Sequence, residues 1–318
     1  MQFEYSSTVT DVLGAVSGWV AKQQKAGRVE AFVKERWQDF LRLELLDTDP
    51  ATLIDRIVGL MEAARAGMPG PILEAQLALL ADQSGRAKNA LAKGHVVSSA
   101  LPGKAGPQLV GWGGVADLVI DQCNGDVLAE APLPAGQFSY PVPHGWVDRP
   151  APSVKDPLAA QRWLYGAALL SGATEGAMDL TVSYVRTREQ FGAPLATYQA
   201  IQFPLAECKV LVDGAKLAAI DAATRMQQDP AAGTVPAALA WLAAVAIAER
   251  VTRVCHQSFG SLGFCNETGL VEYTWAMSWL RLGIGKQSAQ RHLAASRRLG
   301  YERSGDEAPG CLVLEGFA

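Results

Sequence analysis

The spacing of apolar residues predicts helices at the start of the chain. Apolar side chains recur three or four positions apart in two runs: Val9, Leu13, Val16 and Val20, then Trp37, Phe40, Leu41 and Leu45. Asp49-Pro50 supplies an N-cap residue and a proline suited to the first turn, so a third helix begins there. Glycines and prolines at 67–71 end that helix, and another follows over 72–80. We therefore predict an N-terminal helical domain over residues 1–92.

Residues 93–152 follow a different pattern, rich in proline and glycine and with short apolar runs. An alternating run over 115–120 is followed by Asn124-Gly125 and then by Val127-Leu128. Two such runs joined by Asn-Gly predict a β-hairpin. We predict a reduced middle β-domain of about four to six strands, which leaves little cover for a ligand.

Helical spacing returns at Asp156-Pro157, which is expected to cap a long helix. Four long helices are predicted, over 156–188, 195–228, 235–259 and 283–301. Their alanine-rich character and short connections predict an antiparallel four-helix bundle over 153–303, so the fold class is mainly α. The third helix is apolar nearly all round, and we expect it either in the bundle centre or in a subunit interface. Residues 304–318 form a tail whose apolar end is expected to dock.

Composition narrows the class of protein. The 318 residues include 28 Lys and Arg against 32 Asp and Glu, a net charge of −4, which argues against a general binder of nucleic acid or anionic membrane. Hydrophobic residues make up 49%, too many for a disordered chain. The longest apolar stretch, 235–248, is shorter than the ~20 residues of a membrane span. With no signal-peptide pattern at its start, the chain is expected to be soluble and cytoplasmic.

Several familiar motifs are absent or incomplete. The five cysteines contain no C-x-x-C pair, and the four histidines have no paired spacing, so neither a disulfide framework nor a metal site is expected. Residues 111–114 lack the strand-to-helix setting of a dinucleotide loop. Residues 283–287 end in glutamine where a phosphate-binding loop needs serine or threonine. The sequence contains no G-x-S-x-G, so nucleophilic hydrolysis has no support.

The informative segment runs from Tyr184 to Leu195. A long helix is predicted to end at Arg188, a turn carries Phe191-Gly192, and a new helix follows Pro194. An arginine and an amide at such a junction form a fixed set of donors suited to a pyrophosphate. An arginine that caps the helix C-terminus explains the same residue without a ligand, and the residues alone favour that alternative.

This segment, with Gln199-Ala200, resembles the acyl-CoA dehydrogenase signature of tyrosine, arginine, glutamine, phenylalanine, glycine and a later glutamine–alanine pair. Residues 256–264 with Glu267 resemble the family's later glutamine and double-glycine turn. The likeness to the C-terminal helical domain extends over 156–299. It is looser in three further places: 35–40 and 71–80 resemble parts of the family's N-terminal helical domain, and 115–119 resembles the alanine–aspartate strand of its β-domain.

The resemblance implies FAD bound at a subunit interface. In the family, one subunit's β-domain and late helix hold the flavin, and a neighbour's helical domain grips the ADP half. The neighbour's residues are present here: Arg188, Gln190 and Phe191 for the pyrophosphate, and Gln257, Gly260 and Ser261 for the adenosine. A side chain at Gly260 would block a ligand that approaches the backbone, although a helix C-cap explains the same glycine.

The chain departs from the family where a subunit builds its own half of the site. No Thr/Ser-Glu-Pro or Gly-Ser-Asp stretch lies between residues 94 and 117. The family's reaction needs a carboxylate to take the α-proton of a thioester, and its usual position is Ile284 here. The alternative position in some members falls near Gln161. The polar residues that should follow the glutamate and contact the flavin are Lys286 and Ser288.

These losses predict a non-catalytic subunit, inactive in isolation, that shares FAD with a full-length partner in a heteromer. The partner would carry the glutamate and hold most of the acyl-CoA. Such a heteromer resembles the α2β2 heterotetramers of the family that dehydrogenate CoA thioesters of steroid side chains, and the resemblance implies the same assembly and substrate class here. Two alternatives remain open: a self-sufficient homotetramer with a displaced base, and a flavin-free scaffold. The acids weighed as displaced bases, and expected instead to be interface or surface charges, are Glu175, Glu249 and Glu272.

Overall fold

In a computed structural model of the protein, residues 7–25, 34–67, 70–134, 142–150 and 156–304 are described. These residues form ten α-helices: α1 (Ser7–Lys25), α2 (Lys34–Leu41), α3 (Leu53–Arg65), α4 (Ile72–Ala81), α5 (Arg86–Ala92), α6 (Ala159–Thr187), α7 (Gln199–Gln228), α8 (Thr234–Phe259), α9 (Leu270–Ile284) and α10 (Gln287–Ser304). The strands are β1 (Val97–Ala100), β2 (Gly106–Val110), β3 (Leu118–Asp121), β4 (Val127–Ala129), β5 (Gly145–Arg149), and the short pair β6 (Glu189–Gln190) and β7 (Ala193–Pro194). The mainly α fold class is confirmed.

The start of α3 follows from its sequence as predicted. The Asp49 carboxylate accepts the Ala51 N–H at 2.9 Å, and Pro50 begins a 3-10 turn that runs into the helix. The fourth predicted helix is α4, which is buried on all sides from Ile72 to Leu79. Because it has no solvent-facing side in the chain, every polar residue on it needs a partner inside the protein.

The middle region forms two small sheets. In the first, β3 lies between β1, to which it is parallel, and β4, to which it is antiparallel; in the second, β2 pairs with β5. The predicted hairpin is present between β3 and β4, with Gly125 at φ +77°. The alternating strand predicted over 115–120 is wrong in its start and pattern. The strand begins at Leu118 after a 3-10 turn, and all of its residues are buried.

The C-terminal region is a helical bundle built around α6. Helix α6 is buried without interruption from Arg162 to Met178 and packs against α3, α7, α8 and α9. At Gly172 it approaches α3 so closely that a Cβ there would overlap the Met61 carbonyl. The predicted cap at Asp156 is wrong, because its carboxylate instead receives two hydrogen bonds from Arg162, each 2.7 Å long.

The predicted start of the last helix, at residue 283, is wrong. Residues 283 and 284 are the end of α9, a helix that was not predicted, and the next helix begins only at Gln287. Gly285 separates the two because its φ of +70° is outside the helical region. Helix α9 packs against α6, whereas α10 packs against α8. The predicted docking of the tail, past residue 304, lies outside the described residues.

Helix α8 packs against α6, α7, α9 and α10. It is buried along one face, whereas Leu239 on the other face is 50% exposed, so it does not occupy the centre of the bundle within this chain. The alternative, a subunit interface, stays a prediction. Within the described part of the chain, α8 is also the one helix that, extended to Phe264, is long and apolar enough to cross a membrane by length and composition. The apolar stretch identified in the sequence, residues 235–248, is shorter and did not predict a helix of that length. Length and composition do not distinguish such a helix from a helix of a soluble protein, and α8 packs one of its faces on the rest of the bundle.

Candidate functional site

The turn after α6 is held by the hydrogen bonds of one tyrosine. The Tyr198 hydroxyl donates to the carbonyl oxygens of Gln190 and Phe191, at 3.1 and 3.2 Å, and the Leu195 N–H donates to Arg188 O at 2.8 Å. Phe191 has φ +56° and is 91% exposed. A large aromatic ring held in a strained turn and left almost fully in solvent indicates a surface meant to be covered.

The structure does not support a capping role for the Arg188 side chain. Its guanidinium has no hydrogen-bond or ion-pair partner among the described residues. The Thr187 hydroxyl instead donates to the last carbonyls of α6, those of Ser183 and Tyr184. Arg188 is exposed, as is Gln190, whose amide donates to the neighbouring Glu189 carbonyl at 2.7 Å. Both side chains are therefore accessible to a ligand.

The end of α8 carries the second set of predicted residues. Gly260 has φ +61° and ψ −141°, and its N–H donates to His256 O, so it is the C-cap of the helix. A Cβ at this position would touch none of the described atoms. The glycine is thus explained by backbone conformation rather than by close packing. Gln257 and Ser261 on either side are exposed.

The two sets lie at the same end of the bundle. Tyr184, one turn before Arg188, stacks on Phe259, the residue before Gly260, with ring centroids 4.0 Å apart. The site therefore combines a guanidinium, two carboxamides, a hydroxyl and an exposed aromatic ring. This set of donors fits the pyrophosphate and adenosine of a dinucleotide.

The positions that the family uses for its base and for its own flavin carry side chains that contact other residues of this chain. Ile284 ends α9 and packs so tightly on α6 that a Cβ at Gly166 would overlap its Cδ1. Lys286 Nζ donates to the Glu249 carboxylate at 2.7 Å, and Trp163 Nε1 donates to Ser288 Oγ at 3.2 Å. These side chains already have partners within the chain.

The acids named from the sequence are held by cations. Burial opposes the ionisation of Glu175, but Lys216 and Lys209 outweigh it and lower its pKa. Burial likewise opposes the ionisation of Glu249, and Lys286 and Arg281 outweigh it, so its pKa is also lowered. Carboxylates with lowered pKa values are poor proton acceptors near neutral pH. Neither of the two has the environment of a general base.

Glu272 and Gln161, the remaining positions considered for a base, have different surroundings. Glu272 lies close enough to Arg36 for its charge to raise the pKa of that arginine, against the larger effect of burial. Gln161 has a buried Oε1 with no hydrogen-bond donor in the described part of the chain. A buried acceptor without a donor is uncommon and costs free energy, but an amide cannot act as a base.

A cavity of about 440 Å³ lies between α4, the two sheets and α9. Ile284 lines it, together with leucines of α4 and α9. Its polar lining consists of Glu74, Ser99, Gln122, His144 and Trp279. The position where the family places its base thus faces a cavity lined by this chain, although the sequence analysis predicted that a partner holds most of the substrate.

Glu74 is a buried carboxylate in this cavity that the sequence analysis did not identify. It is 8% exposed, and its Oε1 accepts a 3.0 Å hydrogen bond from the Trp279 indole. Burial raises its pKa, and the indole hydrogen bond only partly offsets this effect. Gly111 makes room for the pair, since a Cβ there would overlap the Trp279 ring. The sequence did offer one indication, since Glu74 is the only charged residue of an otherwise uncharged α4.

Comparisons with known proteins agree with this fold. Residues 152–299 match the family model "Acyl-CoA dehydrogenase, C-terminal domain". A probable acyl-CoA dehydrogenase of Bacillus subtilis, YngJ, is 32% identical over 136 residues, which are 42% of this chain and 35% of that protein. A chain of the ChsE4-ChsE5 complex from Mycobacterium tuberculosis aligns with a TM-score of 0.74 and 21% identity, over 97% of this chain and 100% of that chain. A variant of the Tcur3481-Tcur3483 steroid ACAD has a TM-score of 0.74 and 18% identity, over 92% and 98%.

The matched C-terminal domain and the fold of the described residues together define the class of protein. Residues 152–299 belong to the acyl-CoA dehydrogenase family, as the resemblance predicted. The family normally binds FAD. The aligned part spans about a third of the length of the curated Bacillus relative.

Proposed function

We propose that this chain is the non-catalytic subunit of a heteromeric, FAD-dependent acyl-CoA dehydrogenase. It contributes the ADP-binding half of an FAD site whose flavin half, base and main substrate contacts belong to a full-length partner subunit. One observation carries the proposal: the donors around Arg188 and Gly260 are exposed and close together, whereas Ile284 stands where the base is expected. The side of the site that serves a neighbour is intact, and the side that serves the chain itself is not.

The residues of this chain bind and orient rather than react. The Arg188 guanidinium would donate to the pyrophosphate, and the amides of Gln190 and Gln257 would donate to adjacent oxygens. Burial of the exposed Phe191 ring against the partner would add apolar contact area. When bound, FAD supplies the acceptor for the β-hydride of the thioester. The partner's carboxylate would take the α-proton, because Ile284 offers no group that accepts one.

Two comparisons support a partner of the same family. Both solved structures named above carry the names of two different proteins, ChsE4 with ChsE5 and Tcur3481 with Tcur3483, and the second is called a steroid ACAD. We therefore propose a CoA thioester of a steroid side chain as the substrate of the complex, and an α2β2 assembly. The proposed substrate and the proposed assembly both rest on similarity of fold.

Co-expression with a full-length family member encoded nearby tests the subunit role. The isolated chain should purify without flavin, and the complex should be yellow and should reduce a dye with an acyl-CoA. Arg188→Ala should remove FAD from the complex, whereas Arg186→Ala, at an exposed arginine two residues earlier on α6, should leave it bound. Stoichiometric FAD and activity in the isolated chain would overturn the proposal. Unchanged flavin in the Arg188→Ala complex would favour the flavin-free scaffold.

A self-sufficient enzyme with a displaced base makes a different prediction. One carboxylate of the isolated chain would then be essential, and Glu→Gln substitution of Glu175, Glu249, Glu272 or Glu74 would abolish its activity. The first two are held by pairs of cations, which argues against them. Activity of the complex that survives all four substitutions agrees with a base on the partner.

A further inference from the structure

The turn that follows α8 is tied to α9 through one histidine. His256 lies in the last turn of α8, and its Nε2 is 2.8 Å from the hydroxyl oxygen of Thr274 on α9. Its backbone carbonyl also accepts the N–H of Gly260, where α8 ends. The 3-10 turn over residues 260–264 begins there and carries Ser261, one of the residues proposed for the adenosine. His256 therefore connects the start of this turn to the next helix.

The hydrogen bonds of Thr274 fix which nitrogen of the histidine ring carries the proton. The Thr274 hydroxyl has a single hydrogen, which it donates to the Leu270 carbonyl at 3.2 Å. Toward His256 the same oxygen is therefore an acceptor, so the proton is on Nε2. The other nitrogen, Nδ1, is buried without a hydrogen-bond partner among the described residues. The opposite tautomer would leave a buried N–H there without an acceptor, which proteins rarely tolerate. Burial also lowers the pKa of His256, which favours the neutral ring.

The same ring packs on the far end of the turn. The Phe264 ring lies against the imidazole of His256, with ring centroids 4.6 Å apart and an angle of 34° between the planes. Gly263 passes the edge of the imidazole so closely that a Cβ there would be 3.0 Å from Nδ1. Because one residue contacts both ends of the turn, it restricts the conformations that the turn can adopt.

The turn has few other contacts that would keep its shape. Gly263 is the one buried residue among 260–264, while Ser261 is exposed and Leu262 and Phe264 are 39% and 71% exposed. Segments with little buried apolar surface open at a low cost in free energy unless specific contacts hold them. Joining α8 to the bundle does not require His256, since α8 also packs on α6, α7 and α10. The contacts of His256 are those that restrain the turn.

We infer, on the basis of the proposed function, that His256 is a positioning residue of the FAD site. Its Nε2–H bond to Thr274 and its contact with Phe264 order the turn over 260–264 before the adenosine binds. A turn that is ordered in advance loses less conformational freedom on binding, so its donors bind more tightly than they would on a loose turn. His256 itself acts through the turn, because Nδ1 is buried and Nε2 already has its partner.

The FAD affinity of the complex, measured by fluorescence titration, tests this role. Thr274→Val removes the acceptor of the Nε2–H bond at nearly constant shape and should raise the Kd for FAD about two- to tenfold, as expected for one hydrogen bond. Thr274→Ser keeps the hydroxyl and should bind FAD like the wild type. Thr224→Val on α7 is the matched control, because this half-buried threonine also donates to the carbonyl four residues earlier. It should leave the Kd unchanged even where it lowers the unfolding midpoint.

Variants of the histidine itself separate a positioning role from a merely structural one. His256→Ala removes both contacts and should raise the Kd at least about tenfold, since it loses the hydrogen bond and the ring packing together. His256→Gln supplies an amide that donates from nearly the place of Nε2 and should recover part of the affinity. If His256→Ala does not fold, the two Thr274 variants still decide.

Three results would each overturn the role of His256: an unchanged Kd in Thr274→Val, a Kd in Thr274→Ser as high as in Thr274→Val, or equal Kd values in His256→Gln and His256→Ala. Arg188→Ala, titrated alongside, distinguishes this failure from that of the proposed function. Loss of FAD in Arg188→Ala with an unchanged Kd in Thr274→Val overturns the positioning role alone. Unchanged FAD binding in both variants overturns the proposed FAD site as well.

Discussion

The ring of Tyr184 stacks on the ring of Phe259, with centroids 4.0 Å apart and an angle of 13° between the planes. Tyr184 is one turn before Arg188 on α6, and Phe259 is the last residue of α8, just before Gly260. Each helix end carries only part of the donor set. The stack therefore fixes the distance between the groups assigned to the pyrophosphate and those assigned to the adenosine.

Removal of the Tyr184 ring is expected to weaken FAD binding by the complex. Tyr184→Ala should raise the Kd for FAD roughly tenfold, since an aromatic pair contributes about 0.5–1.5 kcal/mol beyond its buried area. Tyr184→Phe keeps the stacked ring and should bind FAD like the wild type. Flavin titration of both complexes, followed by fluorescence, measures the difference. Equal affinities in the two variants would show that the stack does not position the site.

Long helices with continuous apolar faces could be predicted from the sequence alone, and α6, α7 and α8 are where the pattern placed them. The error around α9 has a physical origin. Gly283 and Gly285 look alike in the sequence, but Gly283 is helical while Gly285 takes φ +70° and ends the helix. Which glycine leaves the helix is decided by packing on α6, and local spacing carries no information about it.

The candidate sites also differ in how far the sequence predicts them. Arg188 and Gly260 were predictable because each belongs to a short local motif at a helix end. The cavity was not, because the contact between Glu74 and Trp279 joins residues 205 positions apart. Nothing in either local segment predicts that their side chains meet. The chemistry of Glu74 becomes visible only when α4 is seen to be buried on all sides.

The contact between α6 and α3 should tolerate no added methyl group. At Gly172 a Cβ would overlap the backbone carbonyl of Met61, so Gly172→Ala should destabilise the chain by about 1–3 kcal/mol or more. Gly214→Ala is the matched control, because this helical glycine on α7 has nothing within 4 Å of its Cβ position. That change should stabilise by about 0.5–1 kcal/mol. Urea unfolding of both variants gives the comparison, and equal effects would contradict the close approach of the two helices.

The ion pairs of Glu175 should give a stability that is lost in acid. Its pKa is lowered in the folded protein relative to the ordinary value of 4.5, because Lys216 and Lys209 outweigh the opposing effect of burial. Glu175→Gln should therefore cost about 1–2 kcal/mol near neutral pH. The cost should shrink as the pH falls below 4.5 and through the folded pKa, where the wild-type carboxylate is also protonated. Urea unfolding over a pH series checks this, and a cost that is independent of pH would contradict it.

Glu74 should show the opposite dependence on pH. Burial raises its pKa above the ordinary value of 4.5, so between these two values the folded protein keeps a proton that the unfolded chain has lost. The stability due to the protonated carboxyl is complete below 4.5 and is lost as the pH rises through the folded pKa. Glu74→Gln has no such proton, so the wild type should lose stability relative to this variant as the pH rises.

The difference between the two proteins isolates this one group, because the rest of the chain is the same in both. Urea unfolding of the wild type and of Glu74→Gln at pH values from acid to mildly alkaline should give midpoints that diverge steadily above 4.5 in favour of the variant. A constant difference across the series would mean that Glu74 is ionised in the folded chain at its ordinary pKa.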